Sequence, residues 1–123
     1  MLPKSKTFTP SEDFESTTFV AWLELQIAQG APIQKFTHIP NETPTSAIQA
    51  KRLQRMGVRR GVPDYMLVIK HKLVFIELKR SKGGKVSVHQ QQWLDALSAA
   101  GVSAYVCCGA AEAKKVVLNL LEA

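Results

Sequence analysis

Two apolar runs, Tyr65 to Ile69 and Leu73 to Lys79, are separated only by Lys70, His71 and Lys72. A link that short cannot carry a crossover, so the runs must pair as an antiparallel hairpin. Side chains alternate faces along a strand. Val74, Ile76 and Leu78 therefore share the core face of the second run, and Glu77 and Lys79 share the other. A strand this apolar belongs in the middle of a sheet, where charges are poorly hydrated. Burying them costs several kcal/mol each unless they are paired or bind a metal. With the turn centred near His71, Asp64 falls opposite residue 78, within one residue of both Glu77 and Lys79. Two carboxylates and an ammonium converge on one spot.

Phosphodiester cleavage calls for such a set. Carboxylates bind Mg²⁺ or Mn²⁺ through oxygen, the metal polarises a phosphate and activates water, and a lysine stabilises the developing charge. The structural reading is a Glu77–Lys79 pair with an unrelated Asp64 in a loop. Charge distribution favours the chemical one. From Lys51 to Lys85 there are eleven Lys or Arg and two acids, Asp64 and Glu77, a net of +9. The rest of the chain carries −3, so a basic middle sits in a slightly acidic frame and suggests a polyanion partner.

Around the hairpin the order reads helix, strand, helix, hairpin, helix, strand, helix, a mixed-sheet α/β sandwich. Residues 1–8 read as a flexible basic tail and residues 9–123 as one domain. Thr9 caps the first helix with Pro10 inside it and Glu12 closing a capping box, and the helix runs to about Gln29. Residues 33–39 form a strand, and a second helix starts at Thr43 and Pro44 and ends at Gly57. Ser87 caps a third helix reaching about Ala100. Residues 102–108 form the last strand, and a helix from Ala110 to about Leu121 closes the chain. Cys107 and Cys108 are adjacent, point to opposite faces and read as two buried thiols. No apolar run approaches the ~20 residues of a membrane span, and no apolar signal segment follows Met1. A soluble, cytoplasmic protein is expected.

Asp64 preceded by Pro63, with Glu77, Leu78 and Lys79 in the paired strand, resembles the PD-(D/E)XK nuclease superfamily. More narrowly, the chain is similar to the VRR-NUC (virus-type replication-repair nuclease) family. The closer likeness lies in residues 12–15, 38–41, 57–64, 76–79 and 87–93. It implies a restriction-endonuclease-like mixed β-sheet flanked by helices. It also implies metal ligation by Asp64, Glu77 and the Leu78 carbonyl, and Lys79 as the water-orienting base or electrostatic stabiliser. Glu15 matches the family's first-helix acid and Gln90 its glutamine after the serine cap. Bacterial and phage members resemble Holliday-junction resolvases and tend to be homodimers, which implies a Mg²⁺- or Mn²⁺-dependent endonuclease acting on branched DNA in recombination, repair or phage replication. One departure stands out. Where many members continue the His-x-Pro-Asn loop with glycines and a basic residue, this chain has Glu42, Thr43, Pro44 and Thr45.

Other residues keep two readings. Glu15 lies between Trp22 and Phe19 on an apolar arc, either as a metal or water-bridging acid or as a first-turn acid favoured by the helix dipole. Gln90, three residues after Ser87, is a site residue or a capping-box residue. Lys51, Arg52 and Arg55, with Arg59 and Arg60 just beyond, contact DNA phosphates or merely solubilise a helix face. Tyr65, Phe75 and Trp93 read as core. Rival functions are a non-catalytic nucleic-acid-binding module and a nuclease nicking linear or single-stranded DNA.

Overall fold

The structure is a computed structural model and describes residues 10–41 and 43–123. The basic tail over 1–8, the Thr9 cap and Glu42 lie outside the described residues. Helix α1 spans Glu12–Ala28, and its N-cap is Ser11, whose hydroxyl accepts from the Phe14 amide at 3.1 Å. The helix thus begins after Pro10 rather than on it. Serine caps better than threonine, and this start places Glu12, Asp13 and Glu15 together at the positive end of the helix dipole. Helix α2, Ala47–Arg55, also starts later than expected, at a Ser46 cap. The Gln49 side chain folds back onto the Thr45 amide at 2.7 Å.

Strands β1 (Ile33–His38), β2 (Tyr65–Ile69), β3 (Lys72–Lys79) and β4 (Ser103–Cys108) form one sheet in that order. The first two pairings are antiparallel, and β3 pairs with β4 in parallel. Helix α3 (Val88–Ala99) makes the crossover between them, and α4 (Ala110–Glu122) closes the chain. This is the expected mixed α/β sheet flanked by helices. The hairpin turn is tighter than expected, with Ile69 facing Lys72 and only Lys70 and His71 between. Tyr65 faces Ile76, so the next residues in register are Asp64 and Glu77 rather than Asp64 and Leu78.

One face of the sheet carries the core. Leu67 and Ile76 are fully buried there, as are Phe19 and Leu23 of α1 and Ala113 and Val117 of α4. The Phe19 ring meets Tyr65 edge-on at 5.4 Å. Each such Leu or Ile contributes about 1.5–3 kcal/mol by leaving water. Helix α3 lies over the opposite face, where Glu77 and Lys79 point. Cys107 is buried, and burial pushes its thiol up to about 12. Cys108 is exposed, contrary to expectation, because adjacent side chains leave opposite faces and β4 is an edge strand. Phe75 and Trp93 are only half-buried, while Tyr65 is core. Among the described residues no helix is long and apolar enough to cross a membrane.

Candidate active site

Three charged side chains meet at the end of the hairpin away from its turn. Glu77 is 3 % exposed and Lys79 8 %. The Lys79 Nζ stands 3.5 Å from Glu77 Oε1. Asp64, leading into β2, accepts from the Leu78 amide through Oδ2 at 2.9 Å, which locks its carboxylate against β3. Glu77 Oε2 is buried without a hydrogen-bond partner while the carboxyl is ionised. Burial, then the Asp64 charge, then the hydrogen bond that a proton allows to Asp64, push Glu77 up to about 8; Lys79 pulls it down by less. In the unprotonated state the buried Glu77 carboxylate stands against the half-buried Asp64 with one of its oxygens unanswered. A proton or a cation relieves it.

Gln90 ties this centre to α3. Its Nε2 donates to Glu77 Oε1 at 3.1 Å, and its Oε1 accepts from Lys79 Nζ at 2.8 Å and from the Ser87 amide at 2.9 Å. The Ser87 hydroxyl accepts from the Gln90 amide in return, completing a capping box. One amide thus caps the helix and also bonds to the buried Glu77–Lys79 pair.

A residue that sequence reasoning passed over controls how near α3 can come. Gly61 has φ +90, and a Cβ there would lie 2.4 Å from the His89 carbonyl carbon and 2.7 Å from the Gln90 amide nitrogen. Any side chain would push the first turn of α3, and Gln90 with it, off β3. The signal lies in the Gly-Val-Pro-Asp run, which by itself reads only as a loop signature.

Glu15 is placed elsewhere. It is buried, but its Oε2 accepts from the Ala110 amide at 2.6 Å, at the N-terminus of α4. A carboxylate on an apolar arc needs a partner, and a helix start supplies both an unpaired N–H and a favourable dipole. Among the described residues no group of three or more His, Cys, Asp or Glu is set to hold a metal. In this structure Glu15 is bonded to the Ala110 amide rather than grouped with Asp64 and Glu77. The contact is close to the centre all the same, because the adjacent Gly109 amide donates to the Lys79 carbonyl at 2.8 Å. The exposed His38 ring stacks on Tyr65 at 5.0 Å.

The basic residues divide. Lys51, Arg52 and Arg55 are exposed on α2. Arg59 donates to the Gln54 and Val58 carbonyls at 3.0 and 3.2 Å, closing the C-terminal end of α2. Arg59 and Arg60 also line a cleft of about 1320 Å³ between residues 39–41, Thr43 and Pro44, helix α2, the residue 57–62 loop and α3. Ala50, Leu53 and Gln54 face that cleft, so Lys51, Arg52 and Arg55 stand on other sides of α2. Ser87 and Gln90 form one wall, so the cleft opens beside the buried charges.

Comparison with known proteins places this arrangement. A solved structure described as a VRR_NUC domain protein superimposes with a TM-score of 0.77 at 24% sequence identity, covering 94% of this chain and 92% of that one. That likeness shows the fold. No curated protein matches the sequence. The family profile described as VRR-NUC domain matches residues 13–111, which span α1 through the start of α4 and include Asp64, Glu77, Lys79 and Gln90. The chain belongs to the VRR-NUC domain family, a family of nuclease type for which DNA is the implied substrate.

Proposed function

We propose that this protein is a divalent-metal-dependent DNA endonuclease centred on Asp64, Glu77 and Lys79. The observation that carries the reading is the buried, unpartnered Oε2 of Glu77 beside Asp64. The donors are all oxygen, which suits Mg²⁺ or Mn²⁺ rather than zinc. Asp64 and Glu77 would hold the ion with the Leu78 carbonyl, since N–H and C=O of a strand residue leave on the same side and the Leu78 N–H points at Asp64. Bound there, the ion supplies Lewis acidity and a more acidic water. Lys79, held by Gln90 and Glu77, donates to the phosphoryl oxygens as negative charge builds. The water oxygen bonds to phosphorus, the phosphorus–oxygen bond to the leaving strand breaks, and the leaving oxygen takes up a proton.

The family resemblance extends the reading to branched DNA, four-way junctions above all, in recombination, repair or phage replication in a bacterial cytoplasm. Two opposed cuts need two centres, so the active form is a homodimer. Lys51, Arg52 and Arg55 contact phosphates flanking the cut, and their removal flattens the salt dependence of binding. The test is a cleavage panel of linear, flapped and four-way DNA with and without Mg²⁺ or Mn²⁺, run on the wild type and Lys79→Ala. Cutting that depends on metal and is lost in the variant supports the proposal; equal cutting by both sinks it. The 3.5 Å Glu77–Lys79 pair, satisfied by Gln90, favours a second reading as a non-catalytic DNA-binding module. That reading requires no cutting with either metal.

A further inference from the structure

The cleft beside the centre is larger than phosphate contact requires, and its walls suit something other than a duplex surface. At about 1320 Å³ it exceeds the roughly 300–1,000 Å³ of a typical small-ligand site. Trp93 and His89 from α3 line one side, and Pro40 and Val58 from the loops line others. Arg59 and Arg60 also line it, beside the neutral polar residues Asn41, Gln54 and Gln92, and among the described lining residues there is no acid. Gln90 belongs both to this wall and to the hydrogen bonds around Glu77 and Lys79. An occupant of the cleft therefore sits next to the bond to be cut.

A closed duplex offers such a surface only phosphates and base edges, because its base faces are stacked on one another. A strand whose bases are free offers flat apolar faces and a regular line of negative charge. Those match a wall that holds Trp93, Pro40 and Val58 and takes in Arg59 and Arg60. We infer that the cleft between α2 and α3 binds an unpaired stretch of DNA, with a base stacked on Trp93 and the backbone neutralised by Arg59 and Arg60. The inference rests on the proposed nuclease reading for its substrate class. It adds that the strand presented to Glu77 and Lys79 arrives from a single-stranded segment, such as a flap or an opened junction arm.

The test measures binding without metal, so that it stands apart from cleavage. Fluorescence anisotropy of a labelled ten-residue oligothymidine is compared with a ten-residue abasic chain carrying the same phosphates, using the full chain in EDTA. The wild type is expected to bind the oligothymidine at least tenfold more tightly, within what one or two stacked bases contribute. Trp93→Ala is expected to remove about tenfold from oligothymidine binding and to leave the abasic chain unchanged, while Trp93→Phe keeps most of the affinity. Arg59→Ala and Arg60→Ala weaken both chains alike. Equal binding of the two chains by the wild type overturns the inference without recourse to any variant. So does a Trp93→Ala loss shared by both chains. Sedimentation showing that the free protein is a dimer dissociated by Val58→Asp also overturns it, since the cleft would then be filled by a second copy. A protein that prefers bases but cuts no DNA keeps this inference and loses the nuclease reading; the reverse outcome does the opposite.

Discussion

The two ends of the β2–β3 hairpin solve opposite problems. At the turn, Lys70 and His71 hold φ of 51° and 65°, a left-handed conformation that side chains disfavour by about 1–2 kcal/mol per residue. The structure meets this with local bonds: the Lys70 amide donates to Pro32, the His71 amide to Gln34, and the Lys70 ammonium to the Ala123 carbonyl. All the charge there remains exposed or half-exposed. At the other end the backbone is ordinary strand, and the stress is electrostatic. A carboxylate and an ammonium, Glu77 and Lys79, are buried beside the half-buried Asp64, with one Glu77 oxygen unanswered. Backbone strain at the turn has a bounded cost and is settled within the chain. Electrostatic strain at the far end stays partly unsettled, because Glu77 Oε2 has no hydrogen-bond partner.

That contrast can be broken most forcefully at the charged end. Asp64→Ala is expected to lower the cleavage rate by about a thousandfold or more, the scale of losing metal-assisted charge stabilisation, while DNA affinity changes by only a few-fold. Cleavage rates and filter binding on the same preparation check it, and unchanged cleavage would place the chemistry elsewhere. A second measurement follows the stress itself. Because the folded protein holds Glu77 up to about 8, well above the 4.5 of an unstructured chain, it binds that proton more tightly than the unfolded state does. The stability this contributes is full below about 4.5 and is lost as pH rises towards about 8. Metal-free wild type should therefore melt at progressively lower temperature across that window, and Glu77→Gln, a mimic of the protonated form, should lose most of the slope. Parallel melting curves would show that Glu77 is well solvated.

The glycines sharpen the comparison at a smaller scale. Gly57 and Gly61 both have φ near +90, but a Cβ at Gly57 meets nothing within 4 Å, while one at Gly61 meets the α3 backbone. Gly57→Ala should cost about 1 kcal/mol of backbone strain alone. Gly61→Ala should cost roughly 1–3 kcal/mol more and depress cleavage as well, because Gln90 must move. Equal thermal shifts with unchanged cleavage would free α3 of any positioning role. The smallest effect belongs to the turn: His71→Gly should raise stability by about 0.5–1 kcal/mol and leave cleavage untouched.

Much of this architecture is legible in the chain's residues alone. Alternation along Leu73 to Lys79 sets Glu77 and Lys79 on one face, and the short link of the hairpin brings Asp64 to them. Apolar runs and glycine breaks place all four strands and four helices to within a few residues. The helix starts are harder to read because several hydroxyls compete as caps within a few positions, and only the folded chain shows which one finds the right amide. Glu15 illustrates the deeper limit. Its place on an apolar arc says that it needs a partner, yet nothing local says whether the partner is a metal or the Ala110 amide, 95 residues away.

Local chemistry therefore settles which charges are stranded on the central strand, since side-chain alternation and hydrogen-bonded pairing act between near neighbours. The folded chain alone decides what answers them. Gln90 reaches Glu77 and Lys79 because Gly61 lets α3 close in, and Glu15 meets the Ala110 amide because α4 begins beside it. Such choices depend on distances between remote segments, and those distances exist only once the core of Phe19, Leu67, Ile76 and Val117 has packed.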